Sequence, residues 1–140
     1  MAQDARTIVD EYVAALDGDT RRVAHAEWGI SLEAAGWPLH VGVAIRDGLL
    51  RAQAEVVGPH QIDPPVLLQW NRRIPLARFS QTGAGDVWVQ ADLPLAAVTP
   101  SEIDGFLGLV VRLATQAREA AQRGADGEGA TASEGSNSID

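Results

Sequence analysis

Over the first seventeen residues, Ala5, Ile8, Val9, Tyr12, Val13 and Leu16 recur at intervals of three and four, while Asp4, Asp10 and Glu11 fall between them. This spacing gathers the apolar side chains on one side of a helix over residues 4–17, and Gly18 stops it. The period then changes to two. Between Val23 and Glu33, Ala24, Ala26, Trp28, Ile30 and Leu32 alternate with His25, Glu27, Ser31 and Glu33, the pattern of a strand with one buried face. Gly36-Trp37-Pro38 breaks that strand, and Trp37 is expected to plug the sheet edge there. In the next strand Leu39, Val41, Val43 and Ile45 alternate with His40, Gly42, Ala44 and Arg46.

Asp47-Gly48 follows, a two-residue hairpin signal because both positions must accept positive φ. Such a loop fixes the register: Arg46 faces Leu49, Ile45 faces Leu50, Val43 faces Ala52, Val41 faces Ala54 and Leu39 faces Val56. The last four of these pairs are apolar on both sides. On the other face Ala44 meets Arg51, Gly42 meets Gln53, and His40 meets Glu55 as a polar cross-strand pair.

Residues 58–65 hold three prolines and read as a crossing loop, with a short helix starting near Pro64 or Pro65. Leu76 to Gln81 and Val87 to Leu93 form a second hairpin around residues 81–86, with Val87, Val89, Ala91 and Leu93 on one face and Trp88 on the other. Thr99-Pro100-Ser101-Glu102 is a capping box with proline at the first helical position. It opens a long helix whose stripe is Ile103, Phe106, Leu107, Val110, Leu113, Ala114 and Ala117, widened by Leu109 and Val111 and ended by Gly124. The expected class is α+β, in the order α-β-β-β-α-β-β-α, with an antiparallel sheet of about five strands and helices on one face.

Composition changes this picture at the C-terminal end. Residues 124–140 carry Gly, Ala, Ser and acids with Ile139 as the one large apolar residue, which is too little to offset the entropy of ordering them. They read as a disordered acidic tail behind a single domain over residues 1–123. Four acids and no base lie in that tail, so the domain itself holds 15 acids against 11 bases. All eleven bases are arginine, in a chain rich in Ala, Gly and Val, which suggests a GC-rich bacterial source. The acidic balance argues against nucleic acid as a partner. With no cysteine, disulfides, thiolate nucleophiles and thiolate metal sites are excluded. The absence of an apolar signal core, or of a run near 18 apolar residues, points to a cytoplasmic protein with no membrane partner.

Candidate chemistry is sparse. Gly83-Ala84-Gly85-Asp86 lies between two strands without the helix or lysine of a phosphate loop. His25, His40 and His60 fall on three segments without ligand spacing, and the carboxylate pairs Glu27 with Glu33 and Asp10 with Glu11 sit on solvated faces. No catalytic residue, metal site or cofactor is expected. The tryptophans carry more information. Trp28 belongs to the core face, whereas Trp70 lies in the short helix and Trp88 on a face that alternation should leave polar. Together with Leu49 and Val57, which fall on the outer face, they make a candidate protein-binding or dimer surface: Leu49, Val57, Trp70 and Trp88.

Residues 67–73 (Leu-Leu-Gln-Trp-Asn-Arg-Arg), 76–79 (Leu-Ala-Arg-Phe), 85–95 (Gly-Asp-Val-Trp-Val-Gln-Ala-Asp-Leu-Pro-Leu) and 98–102 (Val-Thr-Pro-Ser-Glu) resemble the YbjN family, whose fold is that of the type III secretion chaperones. The resemblance is strongest over residues 85–100; the first third matches in element order alone. It implies an α+β domain that commonly dimerises and handles protein partners without catalysis; in secretion chaperones the surfaces hold an extended, partly unfolded client segment. The expected function is thus a non-catalytic, chaperone-like or regulatory protein-binding module, a homodimer holding a partner segment on its sheet or edge. The alternative is a small-molecule sensor with a pocket between sheet and last helix lined by Trp28, Phe79 and Phe106.

Overall fold

The computed structural model describes residues 4–138, with side chains through residue 126. Helix α1 (Ala5–Ala15) starts where Asp4 Oδ1 accepts the Thr7 N–H at 2.8 Å, satisfying one of the unpaired amides of the first turn. Gly18 beyond its end has φ +123°, a conformation other residues resist. Six strands follow: β1 (Thr20–Ala24), β2 (Glu27–Ala34), β3 (Trp37–Arg46), β4 (Leu49–Val57), β5 (Ala77–Gln81) and β6 (Val87–Pro94). Helix α2 (Pro64–Asn71) precedes β5, a 3₁₀ turn (Leu95–Ala97) follows β6, and α3 spans Pro100–Ser138. All the ladders are antiparallel, in the order β1-β2-β3-β4-β6-β5.

The α+β class holds, but the sheet has six strands where about five were expected. The run from Val23 to Glu33 is two strands, because the chain reverses at His25-Ala26 with Ala26 at φ +56°. Neither residue is a strong turn former, and β1 buries almost nothing, so no alternation marks it. A second correction concerns the end of α3. Gly124 does not adopt positive φ and the helix continues past it, since no left-handed cap turns the chain there. The side chains of residues 127–140, where most of the expected tail falls, lie outside the described residues.

The core forms where α1 and α3 cover one face of the sheet. Ile103, Phe106, Leu107, Val110 and Leu113 of α3 are buried, as are the smaller Ala114, Ala117 and Ala121 beyond them. The small alanine side chains let the stretch from Ala114 to Ala121 pack against the sheet. Val9 and Val13 bring α1 into the same core. Asp10 was expected on the solvated side, yet its Oδ1 accepts the Trp28 indole N–H at 2.8 Å. The buried Trp28 thereby has its polar atom satisfied. Tyr12 donates its hydroxyl to Asp104 Oδ1 at 3.0 Å, tying α1 to α3. Its pKa is raised to about 12, first by burial and then by that carboxylate. At the start of α3, Thr99 Oγ1 accepts the Glu102 N–H at 3.1 Å, as the capping box predicts.

Candidate functional site

Among the described residues no helix covers the side of the sheet away from α1 and α3, and its central rows are polar. One row crosses all six strands: Arg21, Gly29, Gly42, Gln53, Gln90 and Arg78 are successive cross-strand partners. The neighbouring row is Glu27, Ala44, Arg51 and Asp92. Arg51 Nε donates to Asp92 Oδ1 at 2.9 Å, and Arg78 Nη1 donates to Asp92 Oδ2 at 3.1 Å; Arg46 pairs with Glu27. A shallow cavity of about 480 Å³ lies over Gly42, Ala44 and these ion pairs, because glycine and alanine leave its floor low.

The β3–β4 hairpin divides this face. Asp47 and Gly48 have φ +55° and +74°, and the pairs Arg46–Leu49, Ile45–Leu50, Ala44–Arg51, Val43–Ala52 and Gly42–Gln53 form in the expected register. The ladder stops there. Val41–Ala54, His40–Glu55 and Leu39–Val56, expected to continue it, are not ladder pairs. Two features mark this end of the pair. The ladder of β4 with β6 shifts register between Glu55 and Val57, and the Arg118 guanidinium of α3 bonds at the gap. Arg118 Nε donates to Val56 O at 2.9 Å, and Nη1 donates to Ala34 O and Trp37 O at 3.1 Å each. His40 bonds instead to Ser31 Oγ, its partner on β2, at 3.1 Å.

The third region is the sheet edge at β5. Asn71 Oδ1 accepts the Phe79 N–H at 2.7 Å and Asn71 Nδ2 donates to Phe79 O at 3.0 Å, so one amide side chain occupies both backbone groups where another strand would pair. Trp70 rests on Phe79, ring centroids 5.5 Å apart. Around this blocked edge Leu68 is 67% exposed and Leu76 65%, with Val66 also exposed. Leu76 has φ +62°, an unfavourable conformation for a leucine.

The four residues singled out from sequence do not share one surface. Trp88 and Val57 line the same cleft beside the β3–β4 gap, Leu49 stands at the opposite end of β4, and Trp70 is on α2; all four are half-buried. Trp37 does not plug an edge and is 71% exposed. Trp28, Phe79 and Phe106 are packed in the core; Trp28 also borders the shallow cavity over Gly42 and Ala44, whereas Phe79 and Phe106 line none of the cavities described here. His25 sits in the β1–β2 turn, His40 on β3 and His60 in the loop before α2, and no group of three or more metal-ligating side chains occurs among the described residues. No described helix is long and apolar enough to cross a membrane.

Sequence reasoning missed Val66, Leu68 and Leu76, although a helix as short as α2 cannot bury Val66, Leu67, Leu68 and Trp70 together. It also missed Arg118. That residue stands four after Ala114 and three before Ala121, on the apolar stripe itself, and a charge at such a position has to reach a polar partner.

A protein-family model named YbjN, with the description "Putative bacterial sensory transduction regulator", matches residues 64–123, the region from α2 into α3. No curated protein matches the chain at a significant level. Several solved structures share its fold. A chain of the Yersinia pestis type III secretion chaperone SycH in complex with a stable fragment of YscM2 aligns with TM-score 0.62 at 14% identity, covering 80% of this chain and 98% of that one. For the HopA1–SchA chaperone–effector complex the TM-score is 0.63 at 12% identity, with 81% and 91% covered. For the ExsC–ExsE complex it is 0.59 at 17% identity, with 80% and 92% covered. The chain therefore has the fold of the type III secretion chaperones, and the resemblance to YbjN proteins read from residues 67–102 is found again by the family match.

Proposed function

We propose that this chain is a non-catalytic, chaperone-like or regulatory protein-binding module that acts as a homodimer. The observation that carries the reading is the exposed apolar set Val66, Leu68 and Leu76 beside an edge strand already blocked by Asn71. A blocked edge resists strand addition, so these side chains are suited to packing against another surface, and a second copy supplies one of the same kind. Dimerisation through this edge leaves the helix-free face of each copy open to a partner segment. The fold supports the same reading, because SycH and SchA were solved in complexes with protein partners. On this reading Trp88 and Val57 contribute to partner binding at one end of the open face and Leu49 at the other, while Trp70 supports the dimer edge from beneath.

Light scattering on the purified chain tests the dimer. A mass of two chains is expected, and Leu68→Asp with Leu76→Asp should reduce it to one while leaving the circular dichroism spectrum unchanged. A wild-type monomer at micromolar concentration would rule the dimer out. Partner binding is tested separately by photo-crosslinking from position 53 in the native host, where a reproducible adduct to one protein is expected.

A further inference from the structure

A cation stands at the open half of the β3–β4 pair. Below Gly42 and Gln53, residues 38–41 of β3 and 54–57 of β4 have no ladder partner across the gap. Two adjoining cavities of about 350 and 580 Å³ share Pro38, His40, Val56, Val57, Gly58 and Arg118 in their walls. Trp88 borders one and Trp37 the other.

Every partner that the structure gives Arg118 is a neutral carbonyl: Val56 O, Ala34 O and Trp37 O. A guanidinium carries five N–H groups, and these bonds occupy the one on Nε and those of Nη1, leaving Nη2 its own. The ion pairs of the described residues do not include Arg118. Its pKa is lowered by burial alone, so nothing charged compensates its desolvation. An arginine placed to clip three carbonyls needs no cavity beside it; this one borders two.

We propose that this gap is a carboxylate-binding site, in which Arg118 takes the carboxylate and the body of the ligand lies between β3 and β4 against Trp37 or Trp88. Glu55 lines one of the two cavities, and its charge disfavours ligands with a second negative group, such as phosphate, so the site selects monoanions. The carboxylate comes either from a small organic acid or from the C-terminus of a polypeptide. The site is separate from the dimer edge, but it shares Trp88 and Val57 with one end of the proposed partner surface.

Titration of the full-length wild-type chain with three probes decides the matter: benzoate, acetyl-Ala-Val-Leu with a free carboxylate, and the same tripeptide as its C-terminal amide. Amide-resolved NMR should show shifts at residues 39–40 and 56–58 with the free acid, and the amide should bind at least about tenfold more weakly. Binding by the peptide acid alone assigns the site to polypeptide C-termini, and binding by benzoate assigns it to small acids. Equal binding of acid and amide, or no shift at these residues with either acid at millimolar concentration, overturns the proposal. Arg118→Gln should abolish the acid-specific shifts; if that variant does not fold, the wild-type comparison of acid with amide stands by itself.

Discussion

The two halves of the β3–β4 hairpin are built from the same alternation of apolar and polar residues, yet one half is zipped and the other parted. Near the turn, five cross-strand pairs form in the register that Asp47-Gly48 dictates. Farther out Leu39, Val41, Ala54 and Val56 are all still buried on the helix side, as alternation requires, but the strands no longer pair. Alternation therefore determines which face a residue occupies, whereas pairing at a distance from the turn depends on what else competes for the backbone. Here the competitor is Arg118, whose charged N–H groups bond to carbonyls on three strands.

The largest effect should come from the zipped half. Leu50 is fully buried opposite Ile45, and Leu50→Ala should cost about 3 kcal/mol through lost burial and the cavity left behind, measured by urea denaturation. The parted half should respond less and differently. Arg118→Met keeps the apolar stem but removes three charge-assisted bonds, for a loss of about 2 kcal/mol. Hydrogen exchange should quicken at residues 34–37, 39–40 and 54–58 and stay unchanged at residues 43–52. If both halves exchange faster together, the division of the hairpin is wrong.

Gly48→Ala probes the turn itself. At φ +74° a Cβ is strained although nothing lies within 4 Å of it, so a loss of about 1 kcal/mol is expected without change in the parted half. The smallest effect belongs to the open face. Asp92→Asn weakens the pairs with Arg51 and Arg78, and because those arginines are well exposed the loss should stay below about 1 kcal/mol and vanish in high salt. A larger loss, persisting in salt, would mean that the open face contributes to the fold as well as to recognition.

How much was legible in the sequence follows the same division. Wherever one short-range rule acts alone, reading and structure agree. The Asp47-Gly48 turn, the Thr99 cap and the stripe from Ile103 to Ala117 are of this kind, each resting on residues within a turn or two of one another. Where two rules met, sequence lost one of them. Thr20–Ala24 hid as a strand because it buries too little to alternate, and its turn is closed by an alanine in a left-handed conformation that glycine usually occupies. The candidate surface suffered likewise: Leu49, Val57, Trp70 and Trp88 are all half-buried, but no local pattern says that they lie in separate places.

The sequence by itself determined the α+β class, the order of most elements, the register near the tight turn and the buried face of β2, β3, β4 and β6. These follow from periodicity and from φ preferences, which act between neighbours. Only the tertiary structure decided that the hairpin parts beyond Gly42 and Gln53, that Arg118 bonds to carbonyls at the gap, and that Asn71 seals the β5 edge while Leu68 and Leu76 stay exposed beside it. Those outcomes depend on hydrogen-bond partners as far apart in the chain as Ala34 and Arg118, which meet only once the helix has been laid across the sheet.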